Sequence, residues 1–245
     1  MYTEKVTRVT HYNKNLFSFR TTRDPGFRFK NGEFAMIGIE IDGKPLFRAY
    51  SMVSTCYDDY LEFLSIKVPD GPLTSKLMHI KEGDDLLVKP KTTGSLCIDY
   101  LKPTDNLVML ATGTGVAPFM SIAFDYETYE KYKHVYLFHT TRTVKELAYH
   151  ERLINLELGR NPILENVNFH YIDSVTREKH MRTGRFWNYI PKHLDGGFIK
   201  DRDSVMVCGS PSLNKECRSF FLNNDWDEGN TGEMGDFMLE RAFVD

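Results

Sequence analysis

Cysteine is scarce in this chain and lies scattered, at Cys56, Cys97, Cys208 and Cys217. No two form a CxxC pair, so the sequence offers no thiolate cluster for an iron–sulphur centre or a structural zinc, and no metal is expected. Long apolar runs are missing too, since nothing approaches the roughly 18 residues of a membrane-crossing helix. The first fifteen residues, MYTEKVTRVTHYNKN, are polar and charged, and no export signal is expected in them. Scattered thiols without an export signal point to a reducing cytoplasm. Charge of one sign is not in excess: the formal net charge is −3 over 245 residues, which gives no basis for binding nucleic acid or an anionic membrane. No internal repeat or low-complexity segment is visible.

What is present is ordinary for a globular protein, with 41% hydrophobic and 27% charged residues in a length that suits one large domain or two modest ones. Residues 1–102 read as β-structure. Short β-prone runs at 16–19, 34–41, 61–68 and 86–89 are punctuated by the turn signals Asp24-Pro25-Gly26, Lys30-Asn31-Gly32, Asp42-Gly43 and Pro69-Asp70-Gly71. About six such strands suggest an antiparallel barrel or sandwich. One helical passage is expected, over 73–80. The rhythm changes at 101–106, a linker. From 103 to 245 apolar strands alternate with helices: strands at 107–111, 134–138, 167–172, 204–208 and 237–240, and helices ending near 132, 158 and 222. That alternation implies a five-stranded parallel, doubly wound sheet.

Four constellations carry chemistry. Arg48-Ala49-Tyr50-Ser51 sets a guanidinium, a phenol and a hydroxyl together on an extended strand. Alternation puts Arg48 and Tyr50 on one face. An arginine fork matches phosphate oxygens, and a ring face packs against a heterocycle. The same residues also suit a strand with one salt-bridged arginine and one core tyrosine. Thr112-Gly113-Thr114-Gly115-Val116-Ala117-Pro118 joins a buried strand to a helix, where glycines allow close approach of a ligand and helix N–H groups can meet phosphate. It is not the GxGxxG fingerprint, because Pro118 stands at the third glycine, and a plain tight turn is the alternative. Cys208-Gly209-Ser210-Pro211 is another strand-end turn, so the two would face one crevice. Arg142, Arg177 and Arg185 flank strand ends and either surround one anion or remain solvated charges. Gly71-Pro72-Leu73-Thr74-Ser75 offers hydroxyls and free N–H groups at a helix start, for a pyrophosphate or as an ordinary cap.

Taken in order, these motifs resemble those of the bacterial ferredoxin–NADP⁺ reductases nearly end to end. The matching stretches are RAYS at 48–51, FLSIKVPDGPLTSKL at 63–77, ATGTGVAPFMS at 111–121, ELAY at 146–149, VTRE at 175–178, VCGSP at 207–211 and GEMGDFMLERAFVD at 232–245. The resemblance implies an FAD-binding antiparallel β-barrel over 1–102 and an NADP-binding α/β domain over 103–245. It implies electron transfer between NADP(H) and ferredoxin or flavodoxin through non-covalent FAD, by a monomer. On this resemblance Arg48 holds the FAD pyrophosphate, Tyr50 packs on the flavin and Ser51 lies beside flavin N5, with Ala49 between them. Leu64, Ile66, Val68, Leu73, Thr74 and Ser75 line the rest of the FAD. Gly113, Thr114 and Gly115 lie at the junction of flavin and nicotinamide, with Gly209 and Ser210 opposite. Cys208 and Glu240 approach the nicotinamide, so Ser51, Cys208 and Glu240 form the catalytic set. Arg142, Arg177 and Arg185 resemble the arginines around the coenzyme 2′-phosphate, which favours NADP over NAD. Plastid-type relatives end in a tyrosine that stacks on the flavin, whereas here the matching position is Ala242, with Phe243 next. Segment 179–182 departs from the relatives' pattern. A reductase of free flavin, and a flavin subunit of a larger complex, remain alternative readings.

Overall fold

A computed structural model of the protein describes residues 1–68 and 71–242. The first half forms β1 (Tyr2–His11), β2 (Leu16–Thr22), β3 (Phe34–Ile41), β4 (Lys44–Ser51), β5 (Tyr60–Ile66) and β6 (Asp85–Thr93), with a single helical turn α1 (Thr74–Leu77). These strands make one sheet in the order β4-β3-β6-β1-β2-β5, antiparallel throughout. A bridge between Met52 and Phe63 brings the two edge strands together, so the sheet curls towards a barrel. Its interior is packed with Phe17, Phe19, Phe63, Ile37, Leu86 and Val88, all 2% exposed or less. Asp42 and Gly43 both adopt positive φ, 50° and 74°, the backbone that a two-residue hairpin between twisted strands requires.

The second half contains β7 (Asn106–Thr112), α2 (Val116–Ala123), α3 (Tyr126–Lys131), β8 (His134–Thr141), α4 (His150–Glu157), β9 (Phe169–Val175), α5 (Ile190–His193), β10 (Asp203–Gly209), α6 (Pro211–Leu222) and β11 (Phe237–Arg241). Its five strands are parallel, in the order β11-β10-β7-β8-β9. The order reverses at β7, so the turns after β7 and β10 open into one crevice.

The helices depart from the sequence expectation where side chains intervene. The helix over 73–80 shrinks to the one turn α1. The helix to residue 132 is cut in two because the Asp125 carboxylate accepts the Glu127 N–H and starts α3 afresh. The passage 144–158 is a short 3₁₀ turn followed by α4, separated by Tyr149 at φ +62°. Strand β9 runs 169–175 instead of 167–172, and α5 was not anticipated. Strands β7 and β8 extend to Thr112 and Thr141, past the apolar runs, because the backbone ladder continues there, with Thr112 paired to Thr140 and Thr141 to Val175; Thr140 Oγ1 also lies 2.8 Å from Ser174 Oγ.

The two halves are joined by buried polar contacts. Asn31 Nδ2 donates to Asp125 Oδ2 at 2.7 Å, and Gly32 N–H donates to Ser121 Oγ at 2.9 Å. Gly32, at φ +93°, admits no Cβ, which would collide with the Leu96 carbonyl. Glu62 on β5, buried, receives Arg20 Nε at 3.0 Å and Arg152 Nη1 of α4 at 3.4 Å.

Candidate active site

The end of β4 opens onto a cavity of about 370 Å³ at the seam between the halves. Arg48, Ala49, Tyr50 and Ser51 all line it, joined by Leu64, Val68 and the turn from Gly71 to Thr74 on one side. From the second half come Thr114, Ala117, Cys208 and the end of β11 from Leu239 to Ala242. The Tyr50 hydroxyl pairs with Ser65 Oγ at 3.0 Å, and its ring meets Phe63 edge-on, which fixes the plane of the phenol. Burial raises the Tyr50 pKa, so the ring carries a neutral hydroxyl. Arg48 Nη1 donates to the Phe47 carbonyl at 2.8 Å.

Cys208 and Glu240 face each other in register across β10 and β11. Burial pushes the Cys208 thiol well above its ordinary pKa, with the Glu240 charge adding to it, so the sulfur is a neutral wall and not a thiolate. Burial also pushes the Glu240 carboxyl up to about 7, opposed by the Ser95 N–H that donates to Oε2 at 3.1 Å. Gly94 at φ +151° lets that turn come close, because a Cβ there would sit 3.3 Å from Glu240 Oε2.

A second cavity of about 400 Å³ adjoins the first, and the two share Thr114 and Ala242 as lining residues. Arg142, Arg177 and Arg185 all line it, so the fold does gather three arginines spaced far apart in sequence. Arg177 N–H donates to the Arg142 carbonyl at 2.9 Å, which sets two of them side by side. Arg185 Nη1 contacts Glu216 Oε2 at 2.7 Å, and the Arg142 N–H is held by Glu146 Oε2 at 3.0 Å.

The 113–115 turn is supported from beneath by His139, which sequence reading passed over. Its Nε2 lies 3.1 Å from the Gly113 carbonyl and its Nδ1 3.3 Å from the Tyr171 hydroxyl. A carbonyl only accepts, so Nε2 carries the proton and the ring is neutral; burial lowers its pKa to about 4. Gly115 and Gly209 line neither cavity but make the crossing possible. A Cβ on Gly115 would collide with the Cys208 carbonyl, and one on Gly209 with Thr112 Oγ1. The hydroxyl of Thr114 is buried where the cavities meet and has no partner among the described residues.

Other expectations shift in detail. Ile66 lines the second cavity instead of the first, and Ser75 lines neither. The 71–75 turn uses part of its own hydrogen-bonding capacity: Ser75 N–H donates to the Gly71 carbonyl at 3.1 Å, and Thr74 Oγ1 accepts from Val68 N–H at 3.2 Å. Ser210 lines the second cavity with Gly113. Phe243 lies outside the described residues. Thr140, Thr141, Glu146 and Thr176 of the second cavity were missed, although the polar run after the apolar strand 134–138 marks the place. Gly94-Ser95 was missed as well, and only its glycine hinted at a turn. Among the described residues no three His, Cys, Asp or Glu side chains are grouped to hold a metal.

The cavities fit an extended, partly phosphorylated, partly heterocyclic occupant. An orphaned hydroxyl at their junction, a fixed phenol plane in one and clustered guanidiniums in the other are complementary to such a group. Comparison with known proteins agrees. Residues 3–95 match the oxidoreductase FAD-binding domain and residues 109–219 the oxidoreductase NAD-binding domain. The ferredoxin–NADP reductase of Pseudomonas aeruginosa is 45% identical, over 100% of this chain and 98% of its own length. The chain belongs to the ferredoxin–NADP reductase family. The flavodoxin/ferredoxin–NADP reductase of Rhodobacter capsulatus is 42% identical over 98% of this chain and 93% of its own. A crystal structure of the Neisseria gonorrhoeae ferredoxin–NADP⁺ reductase with bound FAD and NADP superposes with a TM-score of 0.88 at 27% identity, covering 99% of this chain and 98% of that one. As a member of this reductase family the chain is an oxidoreductase that uses FAD and NADP(H). Among the described residues no helix is long and apolar enough to cross a membrane.

Proposed function

We propose that the first cavity seats FAD, the second seats NADP(H), and the chain exchanges electrons between NADP(H) and ferredoxin, with flavodoxin as a second carrier. The division of labour follows domains 1–102 and 103–245. The observation that carries this reading is the meeting of the two cavities at Thr114 and Ala242, since a nicotinamide and a flavin must come face to face. When bound, the flavin supplies the chemistry that a side chain lacks: acceptance of a hydride and release of single electrons.

The residues then bind, orient and hold protons. Arg48 at the rim offers a planar fork to the pyrophosphate. Tyr50, locked by Ser65 and Phe63, provides a fixed face for the ring system, and Ser51 a small hydroxyl beside it. The neutral Cys208 thiol leaves room for a nicotinamide without placing a charge next to it. Glu240, with its carboxyl pushed up to about 7, can hold a proton near neutral pH while its Oε2 accepts the Ser95 N–H, which fixes the side chain in place. Arg142, Arg177 and Arg185 surround the 2′-phosphate. The relatives' names support ferredoxin and flavodoxin as carriers. The four cysteines are all free thiols, in keeping with a reducing cytoplasm. A monomer is the working assembly.

Purified protein is expected to be yellow, with about one FAD per chain after gel filtration, and to reduce members of a ferredoxin and flavodoxin panel with NADPH. Loss of flavin on the column together with NADPH-driven turnover of added free flavin would instead identify a reductase of free flavin.

A further inference from the structure

One charge cluster of the second half lines neither cavity. Asp173 lies near the end of β9 with its carboxylate almost fully buried. Its Oδ2 meets His180 Nε2 at 2.6 Å, and its Oδ1 accepts from Arg182 Nη1 at 2.8 Å. Both partners belong to the loop 176–185 that leaves β9, and that loop carries Arg177 at one end and Arg185 at the other. A buried carboxylate is tolerated only when it is paired and hydrogen-bonded. One that holds two residues of a single loop therefore specifies where the loop lies.

The rest of the loop is consistent with such an anchor. Thr176 and Arg177 N–H groups continue the sheet onto the carbonyls of Thr141 and Arg142. The chain then turns back, and Val175 exchanges hydrogen bonds with Arg182 and Gly184 at 3.0 and 2.7 Å. Gly184, at φ +113°, makes that return possible. His180 and Arg182 do not line the second cavity, whereas Arg177 and Arg185 do.

We infer that Asp173 is a positioning residue for coenzyme choice: by drawing His180 and Arg182 back onto β9 it fixes the loop that presents Arg177 and Arg185 to the 2′-phosphate. The inference rests on the assignment of those arginines made above. It carries a selective signature. The phosphate is remote from the reacting atoms and NADH has no group there, so loosening the loop raises KM for NADPH while kcat and the NADH kinetics hold.

The test is steady-state kinetics of the FAD-loaded enzyme with NADPH and NADH and an artificial one-electron acceptor, for D173N, R182A, R182K and R177A. D173N and R182A are expected to raise KM for NADPH about five- to tenfold, with kcat and the NADH constants within about twofold. R182K recovers most of the loss, and D173N/R182A is no worse than D173N alone, because Arg182 acts through Asp173. If D173N does not fold, R182A and R182K, at a partly exposed side chain, carry the test. A fall in KM for NADPH in D173N overturns the inference, since Arg182 would then be a phosphate ligand that Asp173 withholds. An NADPH-selective loss in R177A with unchanged D173N and R182A also overturns it, while leaving the arginine assignment standing. Equal losses for both coenzymes in R177A remove that assignment and the inference with it.

Discussion

The two cavities are nearly the same size, about 370 and 400 Å³, yet they are made of different material. The first is walled by strand ends and by buried apolar side chains such as Leu64 and Leu73, with Tyr50 locked in place among them. The second is rimmed by loops, by buried threonines and by three exposed arginines, one of them shared with an exposed carboxylate. Rigid apolar walls suit a group that stays through many turnovers. A charged, loop-built rim suits a ligand that must leave each time, because exposed ion pairs are individually weak and easily exchanged. The contrast fits the proposed division between a resident flavin in the first cavity and an exchangeable coenzyme in the second.

The contrast breaks or sharpens on three measurements. The largest effect is expected from Glu240, whose raised pKa is a consequence of enclosure in the first cavity. Because its folded pKa of about 7 lies above the ordinary carboxyl value, the folded state retains a proton that the unfolded chain releases. Stability from this group is present at low pH and is lost as pH rises between about 4.5 and 7, on the order of 2–3 kcal/mol. Thermal midpoints of Glu240→Gln should therefore gain on the parent protein as pH goes from 5 to 8; parallel curves would show that the cavity is not low in dielectric. Next comes Arg48→Ala, which should weaken FAD retention about 10- to 100-fold, the worth of a charge-assisted bond to phosphate, roughly 1.5–3 kcal/mol. Full flavin occupancy on dilution would remove Arg48 from the pyrophosphate. The smallest effect belongs to the second cavity. Glu216→Gln frees Arg185 from an exposed pair worth about 0.2–1 kcal/mol, so KM for NADPH should fall by at most about fivefold and NADH should not respond. A rise would mean that Glu216 orients Arg185 rather than competing for it.

How much of this could be read from the chain differs in the same way. The strand ends were legible: Arg48 to Ser51, the 112–118 turn and 207–211 sit where strand periodicity stops and turn residues begin. The gathering of Arg142, Arg177 and Arg185 was legible as a possibility, since strand-end loops of a parallel sheet converge. Side-chain interruptions were not. Tyr149 adopts a left-handed backbone that its residue type does not announce, and Asp125 restarts a helix through one hydrogen bond inside an otherwise helical pattern. The Ser95 contact to Glu240 spans 145 residues, and His139 supports the Gly113 carbonyl from a neighbouring strand. Such pairings depend on sheet order, which local periodicity does not encode.

The buried bonds from Asn31 to Asp125 and from Gly32 to Ser121 also set a schedule. Their partners are 94 and 89 residues apart. At about 5–20 residues per second of synthesis, the first half waits roughly 5–20 s before the groups that complete it have left the ribosome. During that interval the surface facing the missing half is exposed to water. It carries an amide, a backbone N–H and the Arg20–Glu62 pair, which water hydrates well, but also Leu16, Val53, Leu64 and Leu96, which in the finished fold pack into the core of the second half. A nascent barrel therefore shows its neighbours a patch of aliphatic side chains until the second half arrives to cover it, which makes that interval the vulnerable step of synthesis.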